Sequence, residues 1–161
     1  MVERTIFDKD NKPYTLNVLD DSSSIVIKVY RFNTLIGEVK CFKESLETLY
    51  LRDIAIANDA IPNFKNIWVT PQKKIIREQL EPINYRGRGL GSALMSFLIC
   101  YAAAHGFQAL YGNVYQQDLE NNPKLLQWYQ RHGFQLRPVT PDAEPDIVSV
   151  VHLTIHSAPD R

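Results

Sequence analysis

A glycine-rich segment at residues 86–91 has the residue types that bind anions. It reads Arg-Gly-Arg-Gly-Leu-Gly and stands immediately before an apolar run with helical spacing. Glycines allow tight turns, and the unpaired N–H groups at the start of a helix attract negative charge. A hydrogen bond to a charged acceptor contributes about 1.5–3 kcal/mol, so three or four such donors could hold a pyrophosphate. The segment predicts a diphosphate-binding loop; the alternative is a loop that only caps the helix.

Two other phosphate-binding motifs match this segment poorly. The P-loop requires Lys and then Ser or Thr after its last glycine, whereas Ser92 and Ala93 follow Gly91 here. A dinucleotide-binding turn requires a third glycine, and Leu94 stands at that position. Neither nucleotide motif is therefore predicted.

The apolar pattern after the loop predicts the helix that must position it. From Leu90 to Ala102, hydrophobic residues recur at i, i+3, i+4 and i+7, which places them on one face. Gly106 stands where a left-handed cap would end such a helix. A strand is expected next, at residues 107–114.

A second helix is predicted at residues 122–132. Asn122 is a suitable N-cap, Pro123 suits the first helical position, and Gly133 would end the helix. The last strands are expected at residues 134–139 and 147–155.

The first third of the sequence predicts an antiparallel meander. Runs rich in β-branched and aromatic residues are separated by turn clusters, so consecutive strands should pair with their neighbours. No amphipathic helix is expected before residue 89. The strands are expected at residues 14–19, 24–32, 35–42 and 46–57.

Residues 58–84 interrupt this pattern with several prolines and basic residues. Because proline is excluded from helix interiors, we expect a long loop with one short strand near Ile75 and Ile76. Loops longer than about 12–15 residues are uncommon in compact domains and tend to be functional or disordered.

Three motifs, in order along the chain, resemble the GNAT superfamily of acyl-CoA-dependent N-acyltransferases. Residues 51–56 are similar to the fourth strand of that family, and residues 85–94 are similar to its coenzyme A loop. Residues 129–134 are similar to its Tyr-x-x-x-Gly-Phe sequence, with Asn122 seven positions before the tyrosine. The resemblance covers residues 46–136 well, and the first third of the chain only by its strand content.

The resemblance implies an α/β fold of the α+β type, with a mixed, mostly antiparallel central sheet flanked by helices. We expect one domain over residues 1–161, with residues 58–84 inserted between the fourth strand and the loop. Most family members have one or two helices after the first strand, but here the N-terminal meander lacks them. Our hypothesis is that the inserted segment takes over acceptor binding or covers the adenosine phosphates of the coenzyme.

The coenzyme contacts of the family can be assigned to positions of this chain. The backbone of Ile54 and Ile56 would pair with the pantetheine arm, and the Asn122 side chain would contact it. The alternative for Asn122 is a plain helix cap. The pyrophosphate would be held by the N–H groups of Arg86, Gly87, Arg88, Gly89, Leu90, Gly91 and Ser92.

The resemblance also points to candidate catalytic residues. Tyr129 would donate a proton to the leaving thiolate; its alternative is a core aromatic residue. Many family members use a glutamate on the fourth strand to remove the proton of the amine, but Tyr50 occupies that position. Asp53 is the nearest remaining carboxylate on the strand; the alternative is that it only pairs with a neighbour such as Arg52 or is exposed at the strand edge. Glu78 and Glu81 become candidates only if the fourth strand lies further along the chain.

Composition argues against several other classes. The 18 basic and 18 acidic residues cancel, which disfavours a surface built for nucleic acid or anionic lipid. Cys41 and Cys100 show no metal-ligand spacing, so neither a disulfide framework nor a metal site is indicated. The four histidines form no ligand or triad pattern and are expected to be surface or terminal residues. Without an apolar run of about 18 residues or a signal peptide, we expect a cytoplasmic protein that does not span a membrane.

The resemblance implies an N-acetyltransferase that moves an acetyl or other acyl group from acetyl-CoA to an amine of a small molecule or protein. The alternative is a sensor or scaffold of the same fold that binds acyl-CoA without turnover, because the glutamate and the early helices are missing. A structural partner protein without coenzyme would require three coincidental motif matches. A homodimer is left open.

Overall fold

The computed structural model describes residues 3–57 and 85–156, which form one mixed sheet with helices packed against it. The predicted fold class is confirmed. Three helices lie in the described residues: α1 (Leu90–Ala104), α2 (Gln116–Asn121) and α3 (Leu125–Arg131). The strands are β1 (Arg4–Phe7), β2 (Pro13–Asp20), β3 (Ser24–Arg31), β4 (Thr34–Lys43), β5 (Thr48–Ile56), β6 (Ala109–Tyr115), β7 (Gln135–Arg137) and β8 (Ile147–Thr154).

The strands have the spatial order β1-β2-β3-β4-β5-β6-β8-β7. The first five pair antiparallel with their chain neighbours, as the meander prediction requires. Phe32 and Asn33 join β3 to β4 with φ angles of 47° and 63°. Two successive positive φ angles match the tight turns that suit hairpins.

The parallel pair of β5 and β6 opens partway along its length. Thr48 to Leu51 pair with Ala109 to Gly112, and the pairing then stops. β5 continues to Ile56 with β4 as its partner, while β6 continues to Tyr115 with β8 as its partner. The two strands therefore separate, and the last residues of β5 present an edge that β6 does not cover.

A bulge in β5 reverses which residues face the core. Lys40 of β4 is opposite Asp53, but the next residue, Cys41, is opposite Leu51, so Arg52 is an extra residue. Leu51 is buried, whereas Arg52 and Asp53 are both exposed and the core side resumes at Ile54. A bulge bends its strand and changes the direction of the side chains that follow. Asp53 consequently lies on the side of the sheet away from the core.

The apolar face of α1 packs on one face of the sheet. Leu94, Met95 and Leu98 are fully buried there, against alternate residues of the central strands. Tyr101, near the end of the helix, donates a hydrogen bond to Asp20 of β2 over 2.6 Å. α1 begins at Leu90 and is followed by a glycine with φ of 83°, close to the predicted limits.

The helix predicted over residues 122–132 is present as α3, but it begins at Leu125 rather than at Asn122. The structure has α2, a break, and then α3, whose N-cap is Lys124. The side-chain oxygen of Asn122 accepts the N–H of Lys124, so it closes a turn before the helix. α2 was missed; its first turn is capped by Asp118, which accepts the Tyr115 N–H over 2.9 Å.

Two strands differ from the sequence prediction. β1 was not predicted, because four residues are too few to show alternation, and pairing with β2 holds it in place. β7 ends at Arg137, two residues before the predicted limit. The loop predicted at residues 58–84, its short strand, and Glu78 and Glu81 lie outside the described residues.

Candidate functional site

A cleft of about 640 Å³ lies where β5 leaves β6, beside the start of α1. β5, the glycine-rich loop and the helices α2 and α3 form its walls. Asp53 lines it too, whereas Arg88 and Tyr129 do not. The predicted coenzyme contacts that line it are Ile54, Ile56, Arg86, Gly87, Gly89, Leu90, Gly91, Ser92 and Asn122.

The loop reaches α1 through two left-handed glycines. Gly87 and Gly89 have φ angles of 74° and 79°, and Gly89 is the N-cap of α1. Gly89 has no side chain to cap the helix, and the first turn contains no acidic residue. The first N–H groups of any helix lack intrahelical carbonyl partners. The start of α1 therefore presents backbone donors beside the cleft.

Arg86 ties the loop to the exposed edge of β5. Its Nε donates to the backbone carbonyl of Ile56 over 3.2 Å. That carbonyl is one of the groups expected to pair with a pantetheine arm. A carbonyl oxygen has two lone pairs, so it can accept a second hydrogen bond.

A cluster that the sequence did not predict braces the other side of the loop. The indole Nε1 of Trp128 donates to the Ser92 hydroxyl over 2.9 Å, and Nε2 of His132 lies 3.2 Å from the same oxygen. Trp128 also packs on the loop, since a Cβ on Gly91 would be 3.8 Å from the indole ring. The spacing of Trp128 and His132 by four positions on a helix was the available signal.

The histidine of this cluster is neutral at ordinary pH. Burial, with the nearby charge of Arg131, lowers the pKa of His132. Neutral Nε2 can accept the Ser92 hydroxyl proton, while the serine oxygen accepts from Trp128. His105 and His156 are exposed, whereas His132 and His152 are half-buried, so these two are less exposed than the surface prediction implies.

Tyr129 lies in the core behind the cleft. It is only 7% exposed and packs edge-on against Trp128 and Phe134, with ring centroids 5.1 and 5.2 Å away. Burial raises the pKa of Tyr129, and the negative charges of Asp118 and Asp53 add to the shift. The hydroxyl therefore stays protonated at neutral pH, and its catalytic role stays a prediction.

Tyr50 stands where the family glutamate was expected. Its ring lies against Tyr111 with centroids 5.2 Å apart, and Asn113 donates to its hydroxyl over 3.5 Å. Burial, followed by interaction with Tyr115, raises the pKa of Tyr50. Asp53 is the carboxylate that β5 contributes to the cleft lining.

Residues 3–57 and 85–156 contain no group of three His, Cys, Asp or Glu side chains that could hold a metal ion. Burial raises the pKa of the Cys41 thiol to about 12, so it is not a reactive thiolate. No helix in the same ranges is long and apolar enough to cross a membrane.

Comparison with known protein families identifies the class to which this chain belongs. The acetyltransferase (GNAT) domain family matches residues 21–136. The chain belongs to the GNAT acetyltransferase family. A search of curated proteins found no match.

Solved structures share the fold at low sequence identity. A GNAT-family protein from Desulfovibrio desulfuricans is 16% identical, with a TM-score of 0.57 over 83% of this chain and 70% of that chain. A GNAT acetyltransferase from Elizabethkingia anophelis with acetyl-CoA bound is 16% identical, with a TM-score of 0.53 over 83% and 76%. The N-acetyltransferase PseH from Campylobacter jejuni is 19% identical, with a TM-score of 0.50 over 83% and 70%. Identities this low show the fold alone.

Proposed function

We propose that the chain is an N-acetyltransferase that transfers an acetyl group from acetyl-CoA to an amine of a small molecule or protein. The observation that carries the proposal is the meeting, in one cleft, of the glycine-rich loop and the β5 edge that β6 leaves unpaired. The Elizabethkingia anophelis structure, which holds acetyl-CoA in a similar fold, supports this choice of substrate. A cytoplasmic location stays a prediction from the sequence, and a homodimer stays open.

The start of α1 suits the diphosphate of the coenzyme. Gly87 and Gly89 turn the backbone without side chains in the way, and the first turn of α1 contributes unpaired N–H donors. Arg86 adds a positive charge to the cleft lining. Charge-assisted hydrogen bonds of this kind are about twice as strong as neutral ones.

The β5 edge suits the pantetheine arm, which carries amide groups. Among the described residues, residues 54–56 pair only with β4, so their other side can pair with an added extended chain. Asn122 lines the opposite wall. Its side-chain oxygen is used in the turn to Lys124, which leaves its NH₂ group to contact the arm.

When bound, acetyl-CoA supplies a thioester whose carbonyl carbon is attacked by a neutral amine as the bond to sulfur breaks. At pH 7, deprotonating a lysine-like amine with a pKa of about 10.4 costs roughly 4.6 kcal/mol. An α-amine with a pKa of about 7.8 costs only about 1 kcal/mol. A weak base is therefore sufficient for α-amines.

Asp53 and Tyr129 are the proton-transfer groups of the proposal. Asp53 lies at the cleft on the side of the sheet away from the core, where it can take a proton from the amine, directly or through water. Tyr129 would protonate the thiolate. With ordinary pKa values of about 10 and 8.5 that transfer is uphill by roughly 2 kcal/mol, and the raised pKa of Tyr129 increases this cost.

A second candidate function is a sensor or scaffold that binds acyl-CoA without turnover. The replacement of the glutamate by Tyr50 and the burial of Tyr129 favour it. Both functions require the same coenzyme site, so binding alone does not separate them.

The first experiment is calorimetric titration of the folded protein with acetyl-CoA. We expect saturable binding that Arg86→Glu weakens and that Arg137→Glu, an exposed charge reversal on β7 outside the cleft lining, leaves unchanged. The absence of coenzyme uptake by well-folded protein would remove both candidate functions.

The second experiment measures thiol release from acetyl-CoA with a panel of amines. The acetyltransferase predicts turnover with α-amines and little with lysine-like amines at pH 7. Tight coenzyme binding with no release above the rate without amine would favour the sensor.

A further inference from the structure

The turn between β1 and β2 is built around the carboxylate of Asp8. This side chain is only 7% exposed, and its Oδ1 accepts the backbone N–H groups of Asp10 and Lys12, each over 2.9 Å. The carbonyl of Asp8 accepts the N–H of Asn11 over 3.0 Å, with Asn11 in the left-handed region. One carboxylate therefore sets the path of residues 8–12.

The second carboxylate oxygen connects the turn to Tyr85, which precedes the glycine-rich loop at residues 86–91. We call this loop the anion loop. Oδ2 of Asp8 accepts the hydroxyl of Tyr14 over 2.9 Å. Tyr14 is 2% exposed, and its ring meets the ring of Tyr85 edge-on with centroids 6.3 Å apart. The Arg88 guanidinium lies 5.9 Å above the Tyr85 ring.

The turn also holds the loop directly through its backbone. The N–H of Lys9 donates to the carbonyl of Arg88 over 2.9 Å. This carbonyl belongs to the peptide between Arg88 and Gly89, the N-cap of α1. In a planar trans peptide the C=O and N–H point in opposite directions. Holding the carbonyl towards the turn therefore points the Gly89 N–H away from it.

Asp8 is ionised in the folded protein. Burial would raise the pKa of its carboxyl, but hydrogen bonds from Lys12, Tyr14 and Asp10 and the charge of Lys12 outweigh this and lower the pKa. An ionised carboxylate only accepts hydrogen bonds, and three donors surround it here. These three hydrogen bonds hold the path of the turn where it meets the loop.

We propose that Asp8 and Tyr14 are positioning residues for the anion loop, acting through the Lys9 N–H to orient the Gly89 amide for a diphosphate. Both lie before residue 21, where the family match begins, and neither lines the cleft. This inference rests on the proposed use of acetyl-CoA.

The test compares Asp8→Ala with a matched variant, Asp21→Ala. Asp21 also organises a turn, between β2 and β3, and accepts the N–H groups of Ser23 and Ser24, each over 2.7 Å. That turn does not line the cleft. We expect Asp8→Ala to raise the KM for acetyl-CoA about tenfold, with kcat within about twofold, which corresponds to the loss of about one hydrogen bond. Asp21→Ala should leave both constants unchanged.

Two further variants keep the test decisive if Asp8→Ala folds poorly. Asp8→Asn keeps an oxygen for the two backbone donors and should restore most of the affinity. Tyr14→Phe removes one hydroxyl and should raise the KM about threefold, since one neutral hydrogen bond is lost. Unchanged KM values in both Asp8→Ala and Tyr14→Phe, or an equal rise in Asp21→Ala, would overturn the inference.

Amide hydrogen exchange of the free protein separates this inference from the proposed function. The Lys9 amide should exchange at least tenfold faster in Asp8→Ala than in wild type, and at the wild-type rate in Asp21→Ala. If wild type fails to bind acetyl-CoA but shows this exchange pattern, the proposed function is wrong and the turn still holds the loop. An unchanged Lys9 exchange rate in Asp8→Ala contradicts the positioning role.

Discussion

The start of α1 and the tyrosine of α3 differ in what surrounds them. The loop before α1 places Gly87 and Gly89 in the cleft lining, with backbone donors that no helix carbonyl uses. Tyr129 lies among aromatic rings in the core, and its pKa is raised by burial and by neighbouring carboxylates.

In the proposed function, this difference separates coenzyme binding from proton transfer. The proposed binding at the loop would depend on main-chain geometry, which persists when side chains change. The proposed proton donation from Tyr129 would depend on a pKa that a buried environment sets, so small changes in packing would alter it. We therefore expect variants of the two regions to affect different kinetic constants.

The largest effect is expected for Tyr129→Phe. If Tyr129 is the general acid, kcat should fall by as much as about 10²–10³-fold, the usual range for acid–base catalysis. The KM for acetyl-CoA should stay within about twofold, because Tyr129 does not line the cleft. Steady-state kinetics of thiol release measure both constants.

Either of two results would contradict this division. Complete loss of turnover with coenzyme still bound would mean that the tyrosine does more than donate a proton. An unchanged kcat would mean that Tyr129 is a core aromatic residue only.

A smaller effect, on coenzyme affinity rather than on kcat, is expected for Gly89→Ala. Gly106 provides a matched control, since it has a φ of 83° against 79° at Gly89, and a Cβ would have no close contact at either position. Both alanine variants should lose about 1–2 kcal/mol of unfolding free energy, the cost of the left-handed region for a residue with a Cβ. Only Gly89→Ala should also weaken acetyl-CoA binding, by about tenfold, as measured by calorimetry.

A wild-type coenzyme affinity in Gly89→Ala would show that the geometry of the loop does not matter for binding. A loss of coenzyme affinity in Gly106→Ala equal to that in Gly89→Ala would show that the effect comes from general destabilisation of α1.

The smallest effect is expected from His132 as the pH falls. Because its pKa is lower in the folded chain than the ordinary value of about 6.5, the unfolded chain binds the proton first. The stabilisation from neutral His132 is therefore present above pH 6.5 and is lost as the pH falls towards its folded pKa. Urea unfolding at pH 7.0 and 5.5 should show a smaller pH-dependent loss of stability in His132→Asn than in wild type.

His152→Asn is the control for this measurement. Burial, with the charge of Arg137, also lowers the pKa of His152, so its replacement should reduce the same pH dependence. Of these two histidines, His132 is the one that contacts Ser92 in the cleft lining. We therefore expect His132→Asn, and not His152→Asn, to change coenzyme affinity as well. A wild-type affinity in His132→Asn would show that the Trp128 bond to Ser92 alone supports the loop.

Much of the fold could be predicted because it depends on neighbours in the sequence. Strands β2 to β5 follow from alternating apolar residues, and the start and end of α1 follow from its apolar spacing and from Gly89 and Gly106. The anion loop followed from the same local information, because backbone turning and helix ends are set by adjacent residues.

Other features of the site depend on residues far apart in the sequence. Lys9 reaches Arg88, Trp128 reaches Ser92, and the bulge at Arg52 exists only in the pairing with β4. A local sequence pattern does not reveal contacts between distant residues. The contacts that involve the turn at Asp8 and the Trp128 side chain were therefore not predicted.

The sequence by itself determined the order of the elements, the glycine-rich entry to α1 and the family resemblance. Only the tertiary structure decided that β5 and β6 separate, that Asp53 lies on the side of the sheet away from the core, and that Tyr129 is buried. The physical reason is that backbone conformation responds to adjacent residues, whereas burial, pKa and strand pairing depend on whichever segments the folded chain brings together.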